Sequence, residues 1–138
     1  MFDPRADIDA VQKILVEDAE ILSLLGLSSA TDLEKAKAIL KRDLWDDIPG
    51  NEKRVCVYYR PSFNVHNDII SREVLEVDVH VPANEDYLAY ALQAQIFKLL
   101  QRRKVNLRIL HSIGQLGNIP SLPGFFGVGH RFNYYITK

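Results

Sequence analysis

The 138-residue chain has a single cysteine, Cys56. No disulfide can form within it, which excludes a disulfide-built secreted module and points to an intracellular origin. One cysteine also rules out a CxxC pair. Neither G-x-S-x-G nor H-E-x-x-H occurs, so signatures of serine-hydrolase and zinc-protease chemistry are missing. No apolar run approaches the ~20 residues of a membrane-spanning helix. The opening MFDPRADIDA is acidic and holds no apolar signal region, so nothing there indicates export. Excess positive charge is absent too: 17 Lys and Arg face 18 Asp and Glu, a net charge of −1. Such a chain has no global attraction to nucleic acid or an anionic membrane.

What remains is an ordinary globular composition, 47% apolar and 25% charged. The length suits one domain spanning 1–138, able to bury roughly two-thirds of its unfolded surface.

The pattern predicts helices first. In DIDAVQKILVEDAEILSLLGL, Asp7 is placed as an N-cap after Pro4, and Ile8, Val11, Ile14 and Leu15 keep helical spacing. Asp18 is placed to start a second short helix, which Gly26 ends. Thr31 and Glu34 have capping-box spacing before a helix predicted to run to residue 43, with Leu33, Ala36, Ile39 and Leu40 on its buried face. Strands follow. KRVCVYY alternates, and in REVLEVDVHV the residues Leu75, Val77, Val79 and Val81 share one face. The segment 84–104 is the clearest helix, capped by Asn84, with Leu88, Leu92, Ile96 and Leu99 on the stripe that meets those valines. VNLRILHSI reads as a third strand and VGHRFNYYIT as a fourth, with Val128, Phe132, Tyr134 and Ile136 on one face. The expected class is α+β: N-terminal helices, then a mainly antiparallel four-stranded sheet (ββαββ) with one long helix on a face.

The strand 72–81 poses the main chemical question. Glu76, Asp78 and His80 occupy alternate positions, the residue types of a metal site. Side chains two apart on a strand stand ~6.8 Å apart, from a rise of ~3.4 Å each. Ligand bonds of ~2.0–2.6 Å cannot easily gather such a row on one ion. A neighbouring strand would have to contribute, His111 or His130 for instance. Alternation alone explains the row as the side facing water or another subunit, which predicts that Glu76→Ala and His80→Ala leave folding nearly unchanged. Cys56 with His66 suggests a thiol nucleophile, but a lone cysteine in a β-branched strand is commonly buried and inert. GFFGVG has the wrong glycine order for a phosphate loop, and its glycines fit a turn and a bulge. QRRK fits a basic helix C-terminus. No catalytic residue, cofactor site or metal site is assigned.

Two connections look long beside the usual ~4–6 residues. Residues 60–70 carry Phe63, Asn64, His66, Asn67 and Asp68. Residues 114–126 carry Gln115, Leu116, Asn118, Ile119, Leu122, Phe125 and Phe126. Both mix apolar anchors with hydrogen-bonding groups, as recognition surfaces do. They are the expected partner interface. The apolar residues of the second connection can equally fold back on the core.

The order of elements, from IDAVQKILVEDAEILSLLGL and RVCVYY through LEVDVHVPANEDYLAYALQAQIFKLL to HRFNYYIT, resembles the tail terminator or tail-completion proteins of long-tailed bacteriophages. The resemblance covers most of the chain and rests on pattern and order. It implies a non-catalytic virion protein that self-assembles into a ring, typically a hexamer, from chains that can be monomeric in isolation. The ring ends tail-tube growth and joins tail to head, with the tail tube protein and a head-side connector protein as partners. It implies no membrane and no sequence-specific nucleic acid, and a location in the virion tail or neck after assembly in the host cytoplasm. The competing readings are a head-closure or neck connector, a small bacterial cytosolic binding module, and a metal-dependent enzyme using Glu76, Asp78 and His80.

Overall fold

A computed structural model describes residues 2–44, 47–61, 65–66 and 70–137. The element order is α1 (Arg5–Glu17), α2 (Ala19–Leu25), α3 (Asp32–Ala38), β1 (Ile39–Leu40), β2 (Arg54–Tyr59), β3 (Val65–His66), β4 (Ile70–Pro82), α4 (Asp86–Leu100), β5 (Lys104–Val105), β6 (Arg108–Ile109), β7 (His111–Ile119) and β8 (Phe125–Thr137).

Local chemistry sets the first boundaries. Asp18 leaves the helical conformation and accepts from the Ile21 amide, so α1 stops and α2 begins there. Gly26 ends α2 at φ 74°, and the Leu27 amide reaches back to the Leu22 carbonyl at 2.7 Å, a Schellman closure. Thr31 caps α3 through the Glu34 amide at 3.2 Å. Asp7, expected as an N-cap, lies inside α1 instead and is buried. Its carboxylate accepts from Asn106, Arg108 and Tyr134. The predicted helix to residue 43 stops at Ala38. Ile39 and Leu40 form a strand beside β2, and Leu33 is exposed. Two β-branched or branched apolar residues gain more from that pairing than from another helical turn.

The sheet also departs from the expected four antiparallel strands. Its order is β1-β2-β4-β8-β7, and β3 also pairs with β4. The β1–β2 pair is parallel, so the sheet is mixed. Its centre is the antiparallel pair β4 and β8, each of 13 residues, matched from Ile70 opposite Thr137 to Pro82 opposite Phe125. The predicted third strand is broken. Lys104–Val105 and Arg108–Ile109 form a separate hairpin across Asn106 and Leu107, both at positive φ. β7 then takes up most of the segment read as a long connection. Gln115, Leu116, Asn118 and Ile119 lie in β7, and Phe125 and Phe126 begin β8. Only residues 120–124 connect the two strands. Register shifts at Ser112/Gly114 and Leu116/Asn118 show why the sequence reads poorly as a strand, because each bulge interrupts the two-residue alternation.

The core lies between the sheet and the helices. Leu75, Val77, Val79 and Val81 are buried with Ala89, Leu92, Ile96 and Leu100 of α4, and Leu88 and Leu99 pack against them half-buried. α4 starts after a 3-10 turn and has no side-chain cap from Asn84. α1 and α2 join α4 on this face through Val11, Leu15, Ile21, Leu22 and Leu25, so three helices cover it rather than one. Gln93 is the polar member of the α4 stripe. Its amide donates to the Gly129 carbonyl at 2.5 Å and fixes the helix across β8.

Candidate functional site

The face of the sheet away from the helices holds the Glu76, Asp78 and His80 row. It is not the wet side of the strand: the three residues are 3%, 2% and 2% exposed. The register explains the burial. Arg54, Cys56 and Tyr58 of β2 stand opposite His80, Asp78 and Glu76 on one side. Gly127, Gly129 and Arg131 of β8 stand opposite the same three on the other. The glycines leave room for the row. A Cβ on Gly129 would lie 2.4 Å from Asp78 Oδ1, and one on Gly127 would lie 3.2 Å from His80 Nδ1. Leu116 and Ile119 of β7 close over these glycines from the outer strand.

Charge in the row is organised around Glu76. Arg131 Nε donates to it at 2.8 Å, and Arg60 Nε lies at 3.6 Å. The Tyr58 hydroxyl lies 2.6 Å from both Glu76 Oε2 and Asp78 Oδ2. A phenol has one hydrogen, so one of those two short contacts needs a carboxyl proton. Asp78 supplies it. Burial, then the neighbouring Glu76, pushes the Asp78 carboxyl up to about 9. Burial also opposes ionisation of Glu76, but hydrogen bonds from Asp78, Tyr58 and Arg131 overcome it and hold that carboxyl below its ordinary value. The pair therefore shares one proton and one negative charge. Burial lowers His80, so its imidazole is neutral near pH 7, with Nδ1 at 2.8 Å from Ser121 Oγ.

Asp43, in the connection between β1 and β2, reaches this row. One ligand atom from each of Asp43, Asp78 and His80 falls within 4.8 Å of the others. Neither histidine considered from the sequence takes part in that cluster. His111 is exposed on β7, and His130 lies on the helix side of the sheet, stacked on Phe132 and bonded to Ser112 Oγ. Asp43, Tyr58, Ser121 and Arg131 were not legible as members of the row. The available signal was G-x-G-x-R in β8, small residues opposite large polar ones, which becomes readable only once the register is known.

Cys56 is fully buried, and its thiol is pushed up to about 12, first by burial and then by the negative charge of Asp78 and Asp43. A thiolate nucleophile is disfavoured there. Of the expected partner surface, Phe63, Asn64, Asn67 and Asp68 lie outside the described residues, and His66 is placed only by the pairing of β3 with β4. Gln115 and Asn118 are exposed on the edge strand β7. Leu116, Ile119, Leu122, Phe125 and Phe126 are half-buried: they fold back on the chain, and Phe126 meets Tyr90 of α4 at 5.7 Å between ring centroids. α4 adds exposed Tyr87, Tyr90 and Phe97, whose exposure the sequence pattern did not mark. Among the described residues, no helix is long and apolar enough to cross a membrane.

Neither a family model nor a curated protein matches the chain. Among solved structures, a chain of one titled "Virion of native gene transfer agent (GTA) particle" superposes with a TM-score of 0.65 at 13% identity, covering 97% of this chain and 96% of that one. The likeness is one of fold, over nearly the whole length of both chains.

Proposed function

We propose that this chain is a non-catalytic structural protein of a phage-like virion, forming a ring at the head-proximal end of the tail that ends tube growth and joins tail to head. The observation that carries the reading is the shared fold, nearly end to end, with a chain of a gene transfer agent virion. Three features support it. Glu76, the charged member of the polar row, is buried and committed to Tyr58 and Arg131 rather than open to a substrate. α4 leaves Tyr87, Tyr90 and Phe97 partly exposed, aromatic surface of the kind enriched at protein interfaces. Among the described residues, β7 is an edge strand with no partner on its outer side, a ladder a neighbour could extend. In a ring these lateral features would meet adjacent copies. That leaves the β2–β4 and β7–β8 connections for axial contacts with the tail tube protein and a head-side connector protein.

The second reading places the same fold on the head side, as a neck connector. Loss of function separates the two. In a phage lacking the gene, a missing terminator gives tails of uncontrolled length, whereas a missing head-side connector gives tails of normal length beside filled heads. Complementation with Phe63→Ala, or with Leu122→Ala in the β7–β8 connection, is expected to leave the fold intact and to yield unjoined tails and heads by electron microscopy. Normal infectious particles from both variants would remove these connections from the partner surface.

A further inference from the structure

We propose that Asp43, Asp78 and His80 form a site for one divalent transition-metal ion of the zinc or manganese class, which ties the β1–β2 connection to the buried face of the sheet. The proposal stands apart from any role in a virion.

Two observations carry it. The first is convergence. The three residues come from two separate segments, yet one ligand atom of each lies within 4.8 Å of the other two. Donor atoms around a tetrahedral ion with bonds of ~2.0 Å are separated by ~3.3 Å. Closing the difference needs a small movement, and Asp43 is an exposed residue outside any helix or strand. The difficulty with a single strand row therefore disappears, because the third ligand arrives from a connection above the row.

The second observation is a pair of orphaned atoms. His80 Nε2 and Asp78 Oδ1 are buried and have no hydrogen-bond partner among the described residues. Buried polar atoms are rarely left so. The other atoms of these groups are engaged: His80 Nδ1 with Ser121 Oγ, and Asp78 Oδ2 with Tyr58. A histidine that donates from Nδ1 to a hydroxyl keeps its Nε2 lone pair free for a metal, and the hydroxyl fixes the ring plane, the usual outer support of a metal-bound imidazole. Glu76 is not a ligand in this arrangement, since Arg131 and Arg60 hold it. One imidazole nitrogen and two carboxylate oxygens suit zinc or manganese, with water completing the shell.

The test uses the full chain, stripped with a chelator and titrated with Zn²⁺ by calorimetry, with Co²⁺ absorption as a spectroscopic probe of the ligand set. One equivalent per chain is expected, with a zinc-dependent rise in melting temperature. Asp43→Asn keeps the exposed position and its acceptor for the Leu44 amide, so it is expected to fold like the wild type. It should bind Zn²⁺ at least ~tenfold more weakly, a loss of the size seen even for outer-shell changes. His111→Ala, at an exposed imidazole, is expected to bind unchanged. Absence of saturable binding would overturn the proposal. So would stoichiometric binding that Asp43→Asn leaves intact, or binding that His111→Ala removes.

Discussion

Gly129 of β8 lies directly opposite Asp78 of β4, and a methyl group at Gly129 would stand 2.4 Å from Asp78 Oδ1. The backbone there needs no left-handed conformation, so the requirement for glycine is purely one of space. Gly129→Ala is therefore expected to cost ~1–3 kcal/mol by overpacking. Gly117→Ala is the control, because nothing lies within 4 Å of a Cβ at that position. Urea unfolding of the two variants checks the contrast, and equal midpoints would mean that Asp78 does not occupy the space beside Gly129.

Glu76→Ala reverses an expectation drawn from alternation alone. An exposed strand residue would change stability by under ~0.5 kcal/mol. Glu76 is instead buried, with Arg131, Arg60 and Tyr58 around it. Its removal leaves those groups short of an acceptor, and a loss of ~1–3 kcal/mol is expected, allowing for the partial exposure of both arginines. Thermal melting measures it. A near-silent Glu76→Ala would restore the reading of an open face.

His130 supplies a pH dependence. It packs against Phe97 of α4 and Phe132 of β8 and bonds Ser112 of β7, none of which carries a charge. Burial lowers its pKa below the ordinary 6.5. The unfolded chain then takes up a proton near 6.5 while the folded chain does not, so the contribution is fully present above that pH and is lost as pH falls towards the lower folded value. Buried His80 acts in the same direction. The stability of wild type is expected to fall more steeply below pH 6.5 than that of His130→Gln. Parallel profiles would show that His130 titrates alike in the folded and unfolded chains, so that its burial costs the charged form nothing.

The β5–β6 hairpin turns through Asn106 and Leu107 at φ 48° and 70°. Asn suits this conformation, but Leu pays for its side chain there and is exposed. Leu107→Gly is expected to raise stability by ~0.5 kcal/mol, the relief of backbone strain slightly exceeding the added freedom of the unfolded chain. A lower denaturation midpoint would show that Leu107 makes contacts on which the hairpin depends.

Short-range chemistry was legible in the sequence. The Asp18 restart, the Gly26 ending and the Thr31 cap each depend on side chains within a few residues, and each was found where expected. The inward face of β4 was legible too, because Leu75, Val77, Val79 and Val81 repeat every second residue without interruption. β7 was not, since two bulges break that period and its glycines imitate a loop. Nor could Ile39–Leu40 be separated from a helix end, as the gain comes from a partner strand that begins at Arg54. The polar row shows the division most clearly. Alternation put Glu76, Asp78 and His80 on one side of a strand, which is local geometry. Whether that side met water depended on two glycines and an arginine some fifty residues away, on Tyr58 from the other neighbour, and on Asp43 from a connection. Burial is a property of what the whole chain packs above a residue, and only the tertiary structure decides it.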